Sequence, residues 1–239
     1  MRAMRAPHTA RLVLLSHRLT ADSPIYPGNP PAAAIEPHHR IEAGESDNST
    51  RLGLFSHSGT HVDTPWHFNP AGARADDLPI EAFVFDAPCL LDVPTPGRAF
   101  IELAALEPHA KRIAGADLLL LRTGWSSRRT ADPERYPTDG PLLAPAAARW
   151  LIDEHPRLRA IATDAISIGS PRFPEESVAT HHALTGVGRD DGRFVLIYED
   201  VAMPAGIERL TRVFGWPLFV EGSDGSPVTL VAELAADGD

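Results

Sequence analysis

The sequence of 239 residues has little of three things: cysteine, basic charge and long apolar runs. Its single cysteine, Cys89, allows no disulfide within the chain, which favours a reducing compartment. Lys and Arg number 22 against 32 Asp and Glu, which gives a net charge of −10. This balance argues against nucleic acid as a partner, because phosphate backbones are bound by clustered basic side chains.

No apolar stretch is long enough to span a membrane, and the run at 12–15 is too short for the core of a signal peptide. The expected location is therefore the cytoplasm, with no membrane partner. The apolar fraction of 43% is sufficient for a hydrophobic core. Because no repeat or low-complexity linker divides the chain, we expect a single domain over residues 1–239.

Seven runs have the character of β-strands: 12–16, 51–56, 89–93, 118–123, 160–163, 194–198 and 228–232. Three of them are continuously apolar over 118–121, 160–162 and 194–197, as in strands that are covered on both faces. Helical patterns occupy 101–110 and 145–154. The alternation of strand and helix indicates an α/β or mixed α+β domain, in which Cys89 is a buried core residue rather than a nucleophile.

Ligand-type side chains are concentrated in one short segment, where His57, His61, Asp63 and His67 fall within eleven residues. Imidazole and carboxylate groups are the usual protein ligands of zinc and manganese. A structural zinc site is disfavoured because such sites are usually rich in cysteine. The other histidines are expected to be ordinary solvated or core residues: His8, His38, His39, His109 and His155.

The backbone of this segment is predicted to be a strand that runs into a turn. Gly59 and Pro65 both disfavour a helix, and the preceding run at 51–56 is strand-like. In an extended backbone His61 and Asp63, two residues apart, point to the same side.

The run at 57–68, His-Ser-Gly-Thr-His-Val-Asp-Thr-Pro-Trp-His-Phe, resembles the signature of the cyclase-like metal-dependent hydrolases. That family includes bacterial kynurenine formamidase (arylformamidase) and isatin hydrolase. Further segments are similar to the family pattern, so that the resemblance covers nearly the whole chain: 23–28, 121–125, 161–164, 181–184, 196–199 and 224–228.

The resemblance implies a swivelling β/β/α fold and a site with two divalent ions, zinc or manganese. In that pattern His57, His61 and Asp63 hold one ion. Asp63 bridges to a second ion that is held by His181, with Glu199 bridging as well. His181 is preferred over the adjacent His182 because the residues that follow then align best.

The resemblance also implies that His67 is the catalytic acid/base and that Tyr26 lines the substrate pocket. Tyr26, Trp66 and Phe68 either stack on an aryl ring of the substrate or pack in the core. A homodimer or higher homo-oligomer is expected, with the N-terminal loop near the site of a neighbouring subunit.

The expected activity is that of an amidohydrolase that cleaves a small aryl or cyclic amide with a metal-activated hydroxide. N-formylkynurenine, giving kynurenine and formate, is the first candidate substrate, and a cyclic amide such as isatin is the alternative. A non-hydrolytic cyclase or dehydratase using the same metal site is a second class. A metal-binding protein without catalysis is a third, which the presence of His67 disfavours.

Overall fold

Short apolar runs separated by prolines and glycines fold into many short strands and few helices. The computed structural model describes residues 11–236, so the interpretation of His8 lies outside the described residues. The strands are β1 (Arg11–Leu14), β2 (Ala33–His39), β3 (Ser49–Leu54), β4 (His61–Asp63), β5 (Val84–Phe85), β6 (Pro88–Asp92), β7 (Phe100–Ile101), β8 (Leu118–Arg122), β9 (Leu142–Leu143), β10 (Ala160–Thr163), β11 (Leu196–Glu199), β12 (Leu210–Pro217) and β13 (Gly225–Leu234). The α-helices are α1 (Leu103–Leu106), α2 (Ala110–Ile113), α3 (Arg128–Ala131), α4 (Pro145–Glu154) and α5 (Pro174–Leu184).

The main sheet joins a parallel half to an antiparallel half. β6, β8, β10 and β11 lie side by side in parallel, so that Ala160 pairs with Leu118 on one side and with Leu196 on the other. β4 is antiparallel to β11 on one side and to β13 on the other. β12 and β5 extend the antiparallel half, and β1 pairs with the end of β13. β12 also approaches β6, so that the sheet curls toward closure.

Alternate side chains of the parallel strands enter two apolar clusters. Leu119 and Ile161 belong to the cluster that α4 covers. Leu120 and Ala162 belong to the cluster that β12 and β13 enclose. Because both faces of these strands are covered, their sequences are apolar throughout, as predicted. Each leucine buried in this way contributes about 1.5–3 kcal/mol of transfer free energy.

The helices follow the sequence patterns unevenly. α4 has the predicted bounds, 145–154. The prediction of one helix over 101–110 is wrong, because α1 ends at Leu106, a 3-10 turn spans Glu107–His109 and α2 begins at Ala110. Pro108 lies in that turn, and proline interrupts a helix because it lacks an N–H and its ring crowds the preceding turn. α5 is not among the predicted helices.

Two small pairs of strands lie outside the main sheet. β2 and β3 form an antiparallel hairpin that leads directly into the 57–67 segment, and β7 pairs in parallel with β9. Cys89 is buried within β6, as predicted. Within residues 11–236 the helices are too short or too polar to cross a bilayer.

Candidate active site

The 57–67 segment has the predicted strand-and-turn backbone. Gly59 has a φ of +60°, a conformation that glycine adopts without strain, and it turns the chain into β4. His61 and Asp63 share one side of β4, with Nε2 of His61 3.4 Å from Oδ1 of Asp63. Pro65 then begins a 3-10 turn that ends at His67. Two of the predicted site residues, His61 and Asp63, thus lie side by side on a strand, and His67 follows within one turn.

Glu199 joins this group from the neighbouring strand. It is the last residue of β11 and lies opposite His61 in the sheet, with its Oε2 3.4 Å from Nε2 of His61. Its Oε1 accepts hydrogen bonds from Ser167 Oγ at 2.9 Å and from the Ile168 N–H at 2.6 Å. The carboxyl end of a parallel strand is a common place for a ligand site, and here the buried carboxylate is held by two donors.

His181 reaches the same group from α5. Its Nε2 lies 3.6 Å from Oε1 of Glu199 and 4.0 Å from Oδ2 of Asp63. Its Nδ1 lies 2.7 Å from the carbonyl oxygen of Ser177, so Nδ1 carries the proton and donates to it. His182, the next residue, is only partly buried. The structure therefore brings His181 to the two carboxylates.

The free ring nitrogens of the histidines favour a bound cation. Nδ1 of His61 donates to the Gly59 carbonyl oxygen at 2.8 Å, which turns the lone pair of Nε2 toward the carboxylates. Nε2 of His61 and Oδ2 of Asp63 are buried and have no hydrogen-bond partner within the described part of the chain. Nitrogen and carboxylate donors that converge in this way suit a divalent metal ion. Two groups bring potential ligand atoms within 4.8 Å of one another: His57, Asp63 and His67, and His61, Asp63 and Glu199.

The charges of this cluster shift the pKa values of its members. Burial alone would lower the pKa of His61, but the adjacent carboxylates of Asp63 and Glu199 raise it well above its usual value. Burial and the charge of Asp63 act to raise the pKa of Glu199, yet the nearby imidazoles of His181 and His61 lower it to about 2. The carboxylates are therefore ionised at neutral pH, and the cluster attracts positive charge.

Asp224 joins this cluster, although no separate role is predicted for it from the sequence. Its Oδ2 lies 2.8 Å from Nε2 of His57 and 2.9 Å from Nδ1 of His67. His57 in turn places Nδ1 2.8 Å from Oδ1 of Asp63. A Cβ on Gly225 would lie 2.6 Å from a backbone oxygen of β4, so only glycine lets β13 approach closely enough to bring Asp224 there. The Asp-Gly pair in the 224–228 segment was the available signal.

Four histidines of this cluster (His57, His61, His67 and His181) and Glu199 line a cavity of about 330 Å³. Tyr26, Phe55 and Phe68 supply aromatic surface to it, and Ile166 and Val178 supply aliphatic surface. Phe68 also stacks on the His181 ring, at a centroid distance of 4.3 Å. Trp66 is not among the lining residues and packs instead under the Arg74 guanidinium, 4.4 Å from its ring. Of the three aromatic residues considered from the sequence, two therefore face the cavity.

A protein-family model described as "Putative cyclase" matches the chain over residues 13–170. The chain belongs to the cyclase family. The family resemblance found in the sequence is thus confirmed, and so is the mixed α/β fold.

Relatives and solved structures agree with this membership. The chain is 28% identical over 215 residues to the kynurenine formamidase of Geobacillus thermodenitrificans (strain NG80-2), covering 90% of this chain and 93% of that protein. Its structure superposes on isatin hydrolase A from Labrenzia aggregata with a TM-score of 0.78 at 22% identity, covering 95% and 94% of the two chains. A protein described as a predicted metal-dependent hydrolase from Bacillus stearothermophilus matches with a TM-score of 0.67 at 20% identity, covering 94% and 98%. At these identities the solved structures establish the fold alone.

Proposed function

We propose that this chain is a metal-dependent amidohydrolase acting on a small aryl or cyclic amide. One observation carries the proposal: Nε2 of His61, Nε2 of His181 and the carboxylates of Asp63 and Glu199 converge at one buried side of an aromatic-walled cavity. Both histidines use Nδ1 to donate to a backbone carbonyl, which leaves Nε2 as a ligand.

Two divalent ions, zinc or manganese, fit this set of donors. His57, His61 and Asp63 would hold one ion and His181 the other, with Asp63 and Glu199 each serving both ions. When bound, such ions polarise a carbonyl oxygen and lower the pKa of a water molecule. His57 would first release the proton that it shares with Asp63, since its Nδ1 is engaged there at 2.8 Å.

His67 is proposed to move protons rather than to hold metal. Its Nδ1 contacts Asp224, which orients the ring and leaves Nε2 for exchange with the substrate. Its side chain remains 27% exposed, so that it can meet a substrate entering the cavity. Amide cleavage needs a proton for the departing nitrogen, and His67 is positioned to accept one from water and return it there.

The relatives' names make N-formylkynurenine the first candidate substrate and isatin the alternative. Tyr26, Phe55 and Phe68 provide the surface against which an aryl ring can stack, with Tyr26 as the proposed substrate contact. Metal-loaded protein should be incubated with each compound and followed by absorbance. Turnover of neither would refute both substrate assignments. A cyclase or dehydratase activity would be distinguished by the absence of solvent oxygen in the product formed in labelled water.

The role of His67 is tested by the substitution His67→Ala. We expect kcat to fall by about 10²–10⁴-fold while two metal ions remain bound, because a general acid/base contributes on that order. His109→Ala, a histidine outside the cavity, is the matched control and should leave both activity and metal content unchanged. If His67→Ala lost a metal ion, His67 would be a ligand and the acid/base assignment would be wrong.

A homodimer or higher homo-oligomer is proposed on the basis of the β2–β3 hairpin. Ile35 pairs with Leu52 and Ala33 with Leu54, so that these side chains share one face, and Ile35 and Leu52 are 44% and 60% exposed. A two-stranded hairpin is marginal alone, and its apolar face suits a second copy of the chain. Sedimentation of the wild-type protein and of Leu52→Glu tests this proposal, since a monomeric wild type would refute it.

The proposed location is the cytoplasm, because a single buried cysteine suits a reducing compartment.

A further inference from the structure

Asp200 carries a buried carboxylate that is next to the histidine and carboxylate cluster but does not line the cavity. It follows Glu199 directly, and its side chain is completely buried. Arg129 donates to it from Nε at 2.9 Å and from Nη2 at 2.9 Å, and the Tyr136 hydroxyl donates at 2.6 Å. Nε2 of His17 lies 4.0 Å away. The carboxylate therefore has a guanidinium and a phenol as fixed partners, and neither lines the cavity.

The backbone of Asp200 connects two of the proposed metal-binding residues. Its carbonyl oxygen accepts a hydrogen bond of 2.6 Å from Thr60 Oγ1, and Thr60 directly precedes His61. On the other side, Asp200 is bonded to Glu199, which pairs with His61 in the sheet. One residue thus fixes the ends of both strands, β4 and β11, from which His61 and Glu199 project.

This connection depends on an unusual backbone conformation. Asp200 has a φ of +50°, in the left-handed region that non-glycine residues seldom adopt. Asp and Asn tolerate it better than other residues do. The contacts from Arg129 and Tyr136 hold the side chain outside the cavity and so stabilise this conformation. An ion pair buried this deeply is often replaceable by apolar residues without loss of stability, so its presence suggests another role.

We infer that Asp200, held by Arg129 and Tyr136, is a positioning residue that places Glu199 and His61 for binding of a divalent ion. The inference rests on the proposed metal-dependent function. Ligands must be held within about 0.5 Å of their productive positions, and loss of residues that orient ligands typically weakens metal binding about 10–100-fold.

The test measures the affinity for Zn²⁺ by competition with a chromogenic chelator, together with the visible spectrum of the Co²⁺-loaded protein. Asp200→Asn keeps the size and tolerates the positive φ, and we expect its Kd for Zn²⁺ to rise at least about tenfold with an altered Co²⁺ spectrum. Because this change leaves Arg129 buried without its charge partner, Tyr136→Phe is measured in parallel. It removes one hydroxyl only, and the Kd should rise by a smaller factor in the same direction.

Asp117→Asn is the matched control. Asp117 precedes β8 at the opposite end of the parallel strands, is 14% exposed, and accepts from Arg159 at 3.3 Å and from the Ala87 N–H at 3.0 Å. The Asp117→Asn variant should have a lower melting temperature and an unchanged Kd for Zn²⁺. The inference is overturned if Asp200→Asn and Tyr136→Phe keep the wild-type Kd and spectrum, or if Asp117→Asn weakens binding equally. If the wild type bound no divalent ion, the proposed function itself would be refuted.

Discussion

Protein stripped of metal should lose stability as the pH rises from 6.5 to 9, because a buried histidine holds a proton between two carboxylates. His57 places Nδ1 2.8 Å from Asp63 and Nε2 2.8 Å from Asp224. Burial alone would lower its pKa, but the charge of Asp63 and the hydrogen bonds to both carboxylates raise the pKa to about 9. The unfolded chain returns this histidine to its usual pKa of about 6.5.

The loss of stability with rising pH follows from the difference in proton binding between the folded and unfolded states. Between the two pKa values the folded protein binds the proton and the unfolded chain does not, so stability is fully present below 6.5 and is lost as the pH passes through 9. The difference between a pKa of 6.5 and one of about 9 corresponds to a fall of about 3 kcal/mol in the free energy of unfolding. For a chain of this size that is a fall in Tm of roughly 6–12 °C. His61 and His181, whose pKa values are also raised, add to the loss in the same direction.

Thermal unfolding in the presence of a chelator, at several pH values from 6.5 to 9, measures the effect. His57→Gln is the control, because it keeps a polar side chain but removes the titrating ring, and its Tm should fall less over the same range. This comparison also subtracts any contribution from groups that titrate elsewhere. A wild-type Tm that stays constant or rises with pH would refute the ion-paired arrangement of His57.

Three further outcomes are expected. Adding Zn²⁺ to stripped protein should raise its Tm more at pH 8.5 than at 6.5, because protons compete for the ligand nitrogens; an equal rise would contradict histidine ligation. Burial lowers the pKa of His155, whose ring packs edge-on against Trp150. The unfolded chain therefore takes up a proton first as the pH falls, and stability decreases below pH about 6.5. Urea titrations at pH 7.5 and 5.5 should show a smaller fall for His155→Phe, and an equal fall would exclude His155 as the cause. Leu120→Ala, at a fully buried position, should lower the unfolding free energy by about 2–5 kcal/mol in urea, and a loss below 1 kcal/mol would contradict its place in the core.

The parallel half of the main sheet could be predicted because both faces of its strands are covered by apolar side chains. The apolar runs at 118–121 and 160–162 have no polar alternation, since helices cover one face and the curled half-sheet covers the other. α5 could not be predicted by the same rule. Its buried positions include Ser177, Thr180 and His181, whose polar groups are satisfied inside the protein, so the helix shows no apolar stripe.

The part of the candidate site in the 57–67 segment could be predicted from the residues themselves. The part formed by residues far away in the sequence could be predicted only from the family resemblance. His57, His61, Asp63 and His67 are close in sequence, so that any strand-and-turn backbone keeps them together. Nothing local links them to Asp224, which lies 157 residues after His67 and arrives through the pairing of β13 with β4. Proximity of this kind depends on sheet topology, which periodicity does not encode.

The register of β4 decides whether a site exists at all. This three-residue strand lies between β11 and β13, and His61 and Asp63 face the cluster only while Val62 faces the opposite side. Val62 is completely buried in the cluster of apolar side chains beneath the antiparallel half. A slip of one residue would turn His61 and Asp63 into that cluster and expose Val62 to the carboxylates. The apolar contacts of one valine therefore select the register that brings these two proposed ligands to Glu199 and His181.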